Sequence, residues 1–520
     1  MHLLKSLTAL LLAALLITAC GTRNPSPTQP NDTPSFSPSP SAAASLSPPP
    51  ASVALPSPSV ENPLEDAPST AQPAKSEPLA RAKYQLTAEL NYAGHYLSVE
   101  EDIHYPNHSG EALPDLILMV EPAFYPGVFE LKSLALTREG EATAEPISNY
   151  QWNGAQIRIP LDEPLNPAES LRLQIAYELF LPPPPTAQDS RPVPFGYTAL
   201  QTNLVDWYPF IPPYVPGQGW LAHPAGYFGE HTAYTSSDFD VGIRLLDSRE
   251  DLIIAASAPE RLDGEWHRYK LDSARNFAFS VSDQYRVTTR EVGQVRVTGY
   301  AFAYHDQAGE AALQTTAQAL ELYSELFGPY PHSNLSVVEA DFLDGMEYDG
   351  LYFLSKGFYN LYPSQGLDYL ITIAAHETAH QWWYGLVGND QAMEPWLDEA
   401  LCTYSERLYY ENVAPAELED WWTYRIRMNN PQSPIDRSIY DFGGYLQPYL
   451  TYRDSIYLDG ALFMEDLRDL VGDEAFFAFL RDYVDTNKYQ LSSAEKFFAI
   501  LEKHTTQDLT PLKESYFQDS

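Results

Sequence analysis

The feature that most constrains this chain is the run His376-Glu377-Thr378-Ala379-His380, at the end of the apolar stretch Tyr369-Leu370-Ile371-Thr372-Ile373-Ala374-Ala375. The stretch predicts a buried helix. Residues four apart on a helix sit on one face, a turn apart, so the two imidazoles can share one metal ion. Glu377 lies beside them, within reach of a water at that metal, where a general base belongs. Eighteen residues separate His380 from Glu399, in the run Glu394-Pro395-Trp396-Leu397-Asp398-Glu399-Ala400. Pro395 fits a helix start, so Glu399 reaches the site from a second helix. For this composition a His-Glu-x-x-His match arises by chance in about 2% of chains, and in about one in a thousand with the glutamate added. Two histidines and one glutamate leave a fourth position for water, which marks a catalytic zinc site rather than a closed structural one. One Zn2+ per chain, held by His376, His380 and Glu399, is the expectation.

The rest of the chain falls into contrasting stretches. Residues 1–19 carry Lys5, an apolar run from Leu7 to Ile17 too short to span a bilayer, and small residues before Cys20. This is a signal peptide, and it resembles a bacterial lipoprotein signal, which implies Cys20 as the lipid-modified residue. The other cysteine, Cys402, then has no partner and reads as a small core residue. Residues 20–82 are rich in proline and serine and nearly free of aromatics, a composition that cannot bury enough surface to order itself; a disordered tether is expected. From Tyr84 short alternating runs such as Leu97-Ser98-Val99-Glu100-Glu101-Asp102-Ile103 predict an antiparallel β-domain over 83–288. Helical spacing begins in the run Ala311 to Phe327, which stops at Gly328-Pro329. Helices are expected over Ala414 to Met428 and after Ser455, within a mainly helical domain over 289–520. The fold class is therefore α+β. No later run is long and apolar enough for a membrane helix.

With these residues in place, the chain resembles the aminopeptidase N family of zinc metallopeptidases, in a short bacterial lipoprotein form. The resemblance covers about 84 to 520. It rests on the zinc helix, the spacing to Glu399, and the run Trp396-Leu397-Asp398-Glu399 through Tyr404 and Glu406. Phe327-Gly328-Pro329-Tyr330-Pro331 upstream adds to it. The resemblance implies a saddle-like N-terminal β-domain followed by a thermolysin-like catalytic domain. It implies removal of N-terminal residues from peptides. The family's Gly-x-Met-Glu-Asn motif stands here as Asp344-Gly345-Met346-Glu347-Tyr348, which implies that Gly345, Met346 and Glu347 bind substrate, with Glu347 on the free α-amine. Asp344 and Tyr348 depart from the motif. By resemblance Tyr457, in Tyr457-Leu458-Asp459-Gly460-Ala461, stabilises the oxyanion; the apolar helix that follows favours it over Tyr452, and Asp459 stands where the family has lysine. Many relatives carry a further helical domain; a chain ending near Phe517 implies a more open cavity.

The charge of −39, from 70 acidic and 31 basic residues, argues against nucleic-acid partners. The expected partners are peptides with a free N-terminus and, through the lipid, the outer face of a bacterial membrane. Two other readings stay open: a zinc endopeptidase or other amide hydrolase, and a non-catalytic tethered binding protein.

Overall fold

Strand Lys83–Asn91 alternates perfectly, with Tyr84, Leu86, Ala88 and Leu90 buried and the residues between them turned outward. Period-two burial of this kind forces a sheet with one apolar face. In this computed structural model, which describes residues 81–184, 194–443 and 446–518, that strand is central to an eight-stranded sheet. The signal peptide, Cys20 and nearly all of the expected tether lie outside the described residues. Every pairing in the sheet is antiparallel except that of Lys83–Asn91 with Ser237–Leu245. Smaller sheets of four, three and two strands complete the β-rich part.

One inward position in this sheet breaks the apolar pattern. Glu101, on strand Tyr96–Pro106, lies opposite Leu86 and Ile175. Its register turns it into the core, where it is 3% exposed. Neither carboxylate oxygen has a partner in good hydrogen-bond geometry, and the Tyr177 hydroxyl is the polar group beside it. Burial pushes its pKa well above the usual carboxylate range, and the nearby Tyr177 hydroxyl only partly opposes this. The folded-state pKa thus exceeds the unfolded one, so the folded chain holds a proton that the unfolded chain has released. Stability should fall as pH rises above about 4.3, the ordinary glutamate value. Glu101→Gln should therefore unfold at a higher temperature than the parent at pH 7.5, with a gain of about 1–3 kcal/mol. The gain should vanish near pH 4, and thermal melts at the two pH values check this.

A five-stranded mixed sheet forms the wall between the β-rich part and the helices. Its order is Tyr285–Val292, Val295–Phe302, Asn334–Ala340, Leu351–Ser355 and Gly345–Tyr348. Strand Tyr285–Val292 straddles the expected 288/289 boundary because its partner is the next strand. Asn334–Ala340 and Leu351–Ser355 are buried along their whole length. Leu335, Val337, Tyr352 and Leu354 join the helical core, whereas Val338, Ala340, Leu351 and Phe353 join the β-rich core. A strand buried on both faces reads as continuous apolar sequence. The short strand Gly345–Tyr348 is the sheet's edge, and helix Tyr369–Ala379 packs beside it.

Arg275 ties the two parts together. Its guanidinium donates to the carbonyls of Tyr234, Tyr384, Gly385, Leu386 and Gln490 at 2.9–3.2 Å, and its backbone N–H donates to Asp349 at 2.7 Å. Two of these acceptors, Tyr384 and Gly385, follow closely after His380. The loop leaving the expected metal helix is thereby anchored to the β-rich part. Among the described residues, no helix is long and apolar enough to cross a membrane.

Candidate active site

Helix Tyr369–Ala379 begins at Asp368, whose side chain accepts from the Leu370 N–H at 3.1 Å, an N-cap that satisfies one free donor. The helix delivers His376 and His380 to its buried end, and helix Trp396–Asn412 brings Glu399 against them. His376 Nε2 lies 3.2 Å from His380 Nε2 and 3.1 Å from Glu399 Oε2. His380 Nε2 is 3.6 Å from the same oxygen.

The outer nitrogens decide what these contacts mean. His376 Nδ1 faces Glu406 Oε1 at 2.9 Å, and His380 Nδ1 faces the Trp383 carbonyl at 3.1 Å. Both partners are acceptors, so each Nδ1 carries a proton, and in the neutral ring each Nε2 presents a lone pair. With both rings neutral, two lone pairs and a carboxylate converge on one point. Such a set holds together only around a cation or a shared proton. Burial lowers the His376 pKa, but the Glu399 and Glu406 carboxylates outweigh that and raise it to about 9; two His with one Glu are donors that suit zinc in the proton's place.

Glu406 is itself locked. It accepts from Arg425 Nε at 3.0 Å, Arg425 Nη2 at 2.8 Å and Trp421 Nε1 at 2.9 Å. Burial opposes its ionisation, but the Arg425 guanidinium outweighs that and holds it below the usual carboxylate range. An ionised Glu406 fixes the tautomer and aim of His376. Glu406, the end of the run that carries the resemblance, follows Glu399 by seven residues, two helical turns on the same face.

Glu377 is buried, and its Oε2 has no hydrogen-bond partner. Burial pushes its carboxyl up to about 8, against the pull of the two histidines; a dication beside it would pull further down. Glu347, on the edge strand, brings a carboxylate oxygen into one group with Glu377 and His380, all within 4.8 Å of one another. Gly345 on that strand runs so close to Glu377 that a Cβ there would lie 2.1 Å from its Oε1. Asp344 has φ 74, in the region glycine adopts freely and aspartate tolerates. Met346 packs with the β-rich core. Tyr457 donates to Glu399 Oε1 at 2.7 Å and stacks on the His376 ring at 15° between planes. It sits on a π-helical turn, Asp454–Asp459, a local widening frequent at functional sites. Asp459 turns away to accept from the Ser433 N–H at 2.6 Å, and Cys402 is fully buried and free.

The structure thus gathers His376, Glu377, His380, Glu399, Glu347 and Tyr457 into one place. Arg425, Trp421 and Gln391 also reach this cluster and carry no sequence signal, because their spacing to the site follows no local period.

Residues 311–516 match the peptidase family M1 domain. That stretch of the chain is an M1 domain. Curated proteins match parts of the chain as well. Aminopeptidase M1-D of Oryza sativa is 29% identical over 41% of this chain and 26% of its own length. Aminopeptidase N of Lactococcus lactis is 26% identical over 54% of this chain and 35% of its own. The matched stretches thus span about a quarter to a third of these relatives. Among solved structures, a variant of the M1 zinc metallopeptidase of Deinococcus radiodurans superposes with TM-score 0.60 at 18% identity. That match covers 85% of this chain and 95% of the other. The shared fold therefore extends from the M1 domain into the β-rich part before it.

Proposed function

We propose that the protein is a zinc-dependent aminopeptidase that removes N-terminal residues from peptides. The observation that carries this is the convergence of His376 Nε2, His380 Nε2 and Glu399 Oε2, three atoms that suit a zinc ion, beside Glu377, whose Oε2 is buried without a partner. Zinc held by these three residues would supply Lewis acidity toward the scissile carbonyl and the attacking water. Glu377 takes the water's proton and passes it to the leaving nitrogen. The Tyr457 hydroxyl turns from Glu399 to donate to the oxyanion that develops on the carbonyl. Glu347 receives the substrate's α-ammonium, which sets the first peptide bond against the site. The structure of the Deinococcus radiodurans protein bound to a Tyr-Ser-Ala substrate supports a peptide in a fold of this kind.

The amine-binding role separates this reading from an endopeptidase. The parent should cleave a dipeptide amide far faster than its N-acetylated form. Glu347→Ala should lower kcat/KM on the free form by about a hundredfold or more, the cost of losing a buried charge-assisted contact, and leave the acetylated form nearly unchanged. Equal loss on both forms would contradict the role.

The leader and Cys20 extend the proposal to a lipid-anchored protein outside the cytoplasm of a bacterium. Expressed in such a host, Cys20→Ser should shift the protein from the membrane fraction to the soluble one; unchanged fractionation would count against the anchor.

A further inference from the structure

Gln391 lies in the loop between His380 and helix Trp396–Asn412 and is 3% exposed. Its Nε2 donates to Asp398 Oδ2 at 2.8 Å and to Glu347 Oε1 at 3.2 Å. The opposite amide orientation would set its oxygen against two carboxylates, so the nitrogen must face them. A primary amide has two N–H groups, and both are spent on buried acids.

The loop around Gln391 is held at several points. Asp390 Oδ2 pairs with His223 of the β-rich part at 2.9 Å. The Ala392 carbonyl accepts from the Ile439 N–H at 2.9 Å. Asn389 Nδ2 donates to the Glu394 carbonyl at 3.0 Å. Asp398, the second acid, also accepts from the Glu399 N–H at 2.9 Å. A fixed loop thus aims one neutral donor at Glu347 and links it to the start of the Glu399 helix.

We propose that Gln391 is the positioning residue for Glu347: it bridges Glu347 and Asp398, holds the Glu347 carboxylate in the orientation that receives an α-ammonium, and so determines the preference for a free N-terminus. This rests on the reading of Glu347 as the amine-binding group. Gln391 adds no charge, so Glu347 keeps its full attraction for the ammonium. A lysine or arginine in its place would compete with the substrate for that carboxylate.

The test is a double-mutant cycle on zinc-loaded protein carrying Glu377→Gln, which keeps bound peptide uncleaved. Calorimetry reads the Kd of leucylalanine and of N-acetyl-leucylalanine for four proteins: this background, and the background with Gln391→Leu, with Glu347→Ala, and with both. Gln391→Leu is expected to weaken leucylalanine about tenfold, the loss of one hydrogen bond to a charged group. N-acetyl-leucylalanine should change by less than about twofold, and the effect should disappear once Glu347 is alanine. In the active protein, the same substitution should raise KM and leave kcat within about twofold. Equal weakening of both peptides, or an undiminished effect in the Glu347→Ala protein, would overturn the role of Gln391. If Glu347→Ala itself leaves the preference for the free peptide intact, the amine-binding reading falls and this inference falls with it. A Gln391→Leu protein indistinguishable from the background, beside a Glu347→Ala protein that loses the preference, would overturn the Gln391 inference alone.

Discussion

Glu377→Gln is expected to lower kcat about a thousandfold while zinc content stays at one ion per chain, because a positioned general base contributes roughly 10²–10⁴-fold. The structure gives the reason for both halves. Glu377 contributes no atom to the His376, His380 and Glu399 group, so removing its charge leaves those donors in place. Its Oε2 is buried without a hydrogen-bond partner, the state of a group whose partner arrives with the reaction. Glutamine keeps the shape and can still hydrogen-bond water, but it cannot accept a proton. Steady-state rates with metal analysis on the same sample check the prediction. A variant with near-normal kcat would remove Glu377 from the chemistry. A variant that loses zinc in proportion to activity would assign it to metal retention instead.

Tyr457→Phe is expected to lower kcat by about a hundredfold or more, with KM little changed, as for the loss of an oxyanion donor. The ring would keep its stack on His376 and its contact with Tyr452. Only the hydroxyl, which donates to Glu399 Oε1 at 2.7 Å, would go. Burial pushes the Tyr457 pKa well above the usual phenol value. The hydroxyl therefore stays protonated across the working pH range and serves as a donor. An interaction made in the transition state alone lowers kcat and kcat/KM together. A variant that raises KM with kcat intact would mean that Tyr457 binds the ground state instead.

Periodicity is what made parts of the site legible. His376 and His380 are four residues apart within an apolar run, and one helical turn is enough to aim both at one point. The alternation in Lys83–Asn91 marked a strand with one buried face. Glu347 and Tyr457 were found only through resemblance, because an edge strand and a π-helical turn carry no period of their own. The stretch from Ala414 to Met428, expected as one helix, holds a short turn, Leu418–Asp420, and a π-helical segment, Trp421–Arg427. That widened segment carries the Arg425 and Trp421 side chains that reach Glu406. Helical spacing could not show this, since such a segment breaks the 3.6-residue repeat. Gln391 was illegible for another reason. It sits in a loop, and its two partners come from a strand 44 residues before it and a helix 7 residues after it. Glu101 shows the converse: its place in the alternation was readable, but its burial with only the Tyr177 hydroxyl to oppose the cost emerged once the core had closed around it.

Zinc-dependent cleavage is tested most directly by hydrolysis of an amino-acid amide by one preparation in three states: as purified, stripped with a chelator and dialysed, and resupplied with zinc. Stripping is expected to abolish cleavage, and activity should return in proportion to bound zinc, reaching its plateau at one ion per chain. His380→Ala should neither hold the ion nor recover. Cleavage that survives complete removal of zinc, or full zinc binding at His376, His380 and Glu399 with no cleavage of any free-amine substrate, would contradict the proposed function.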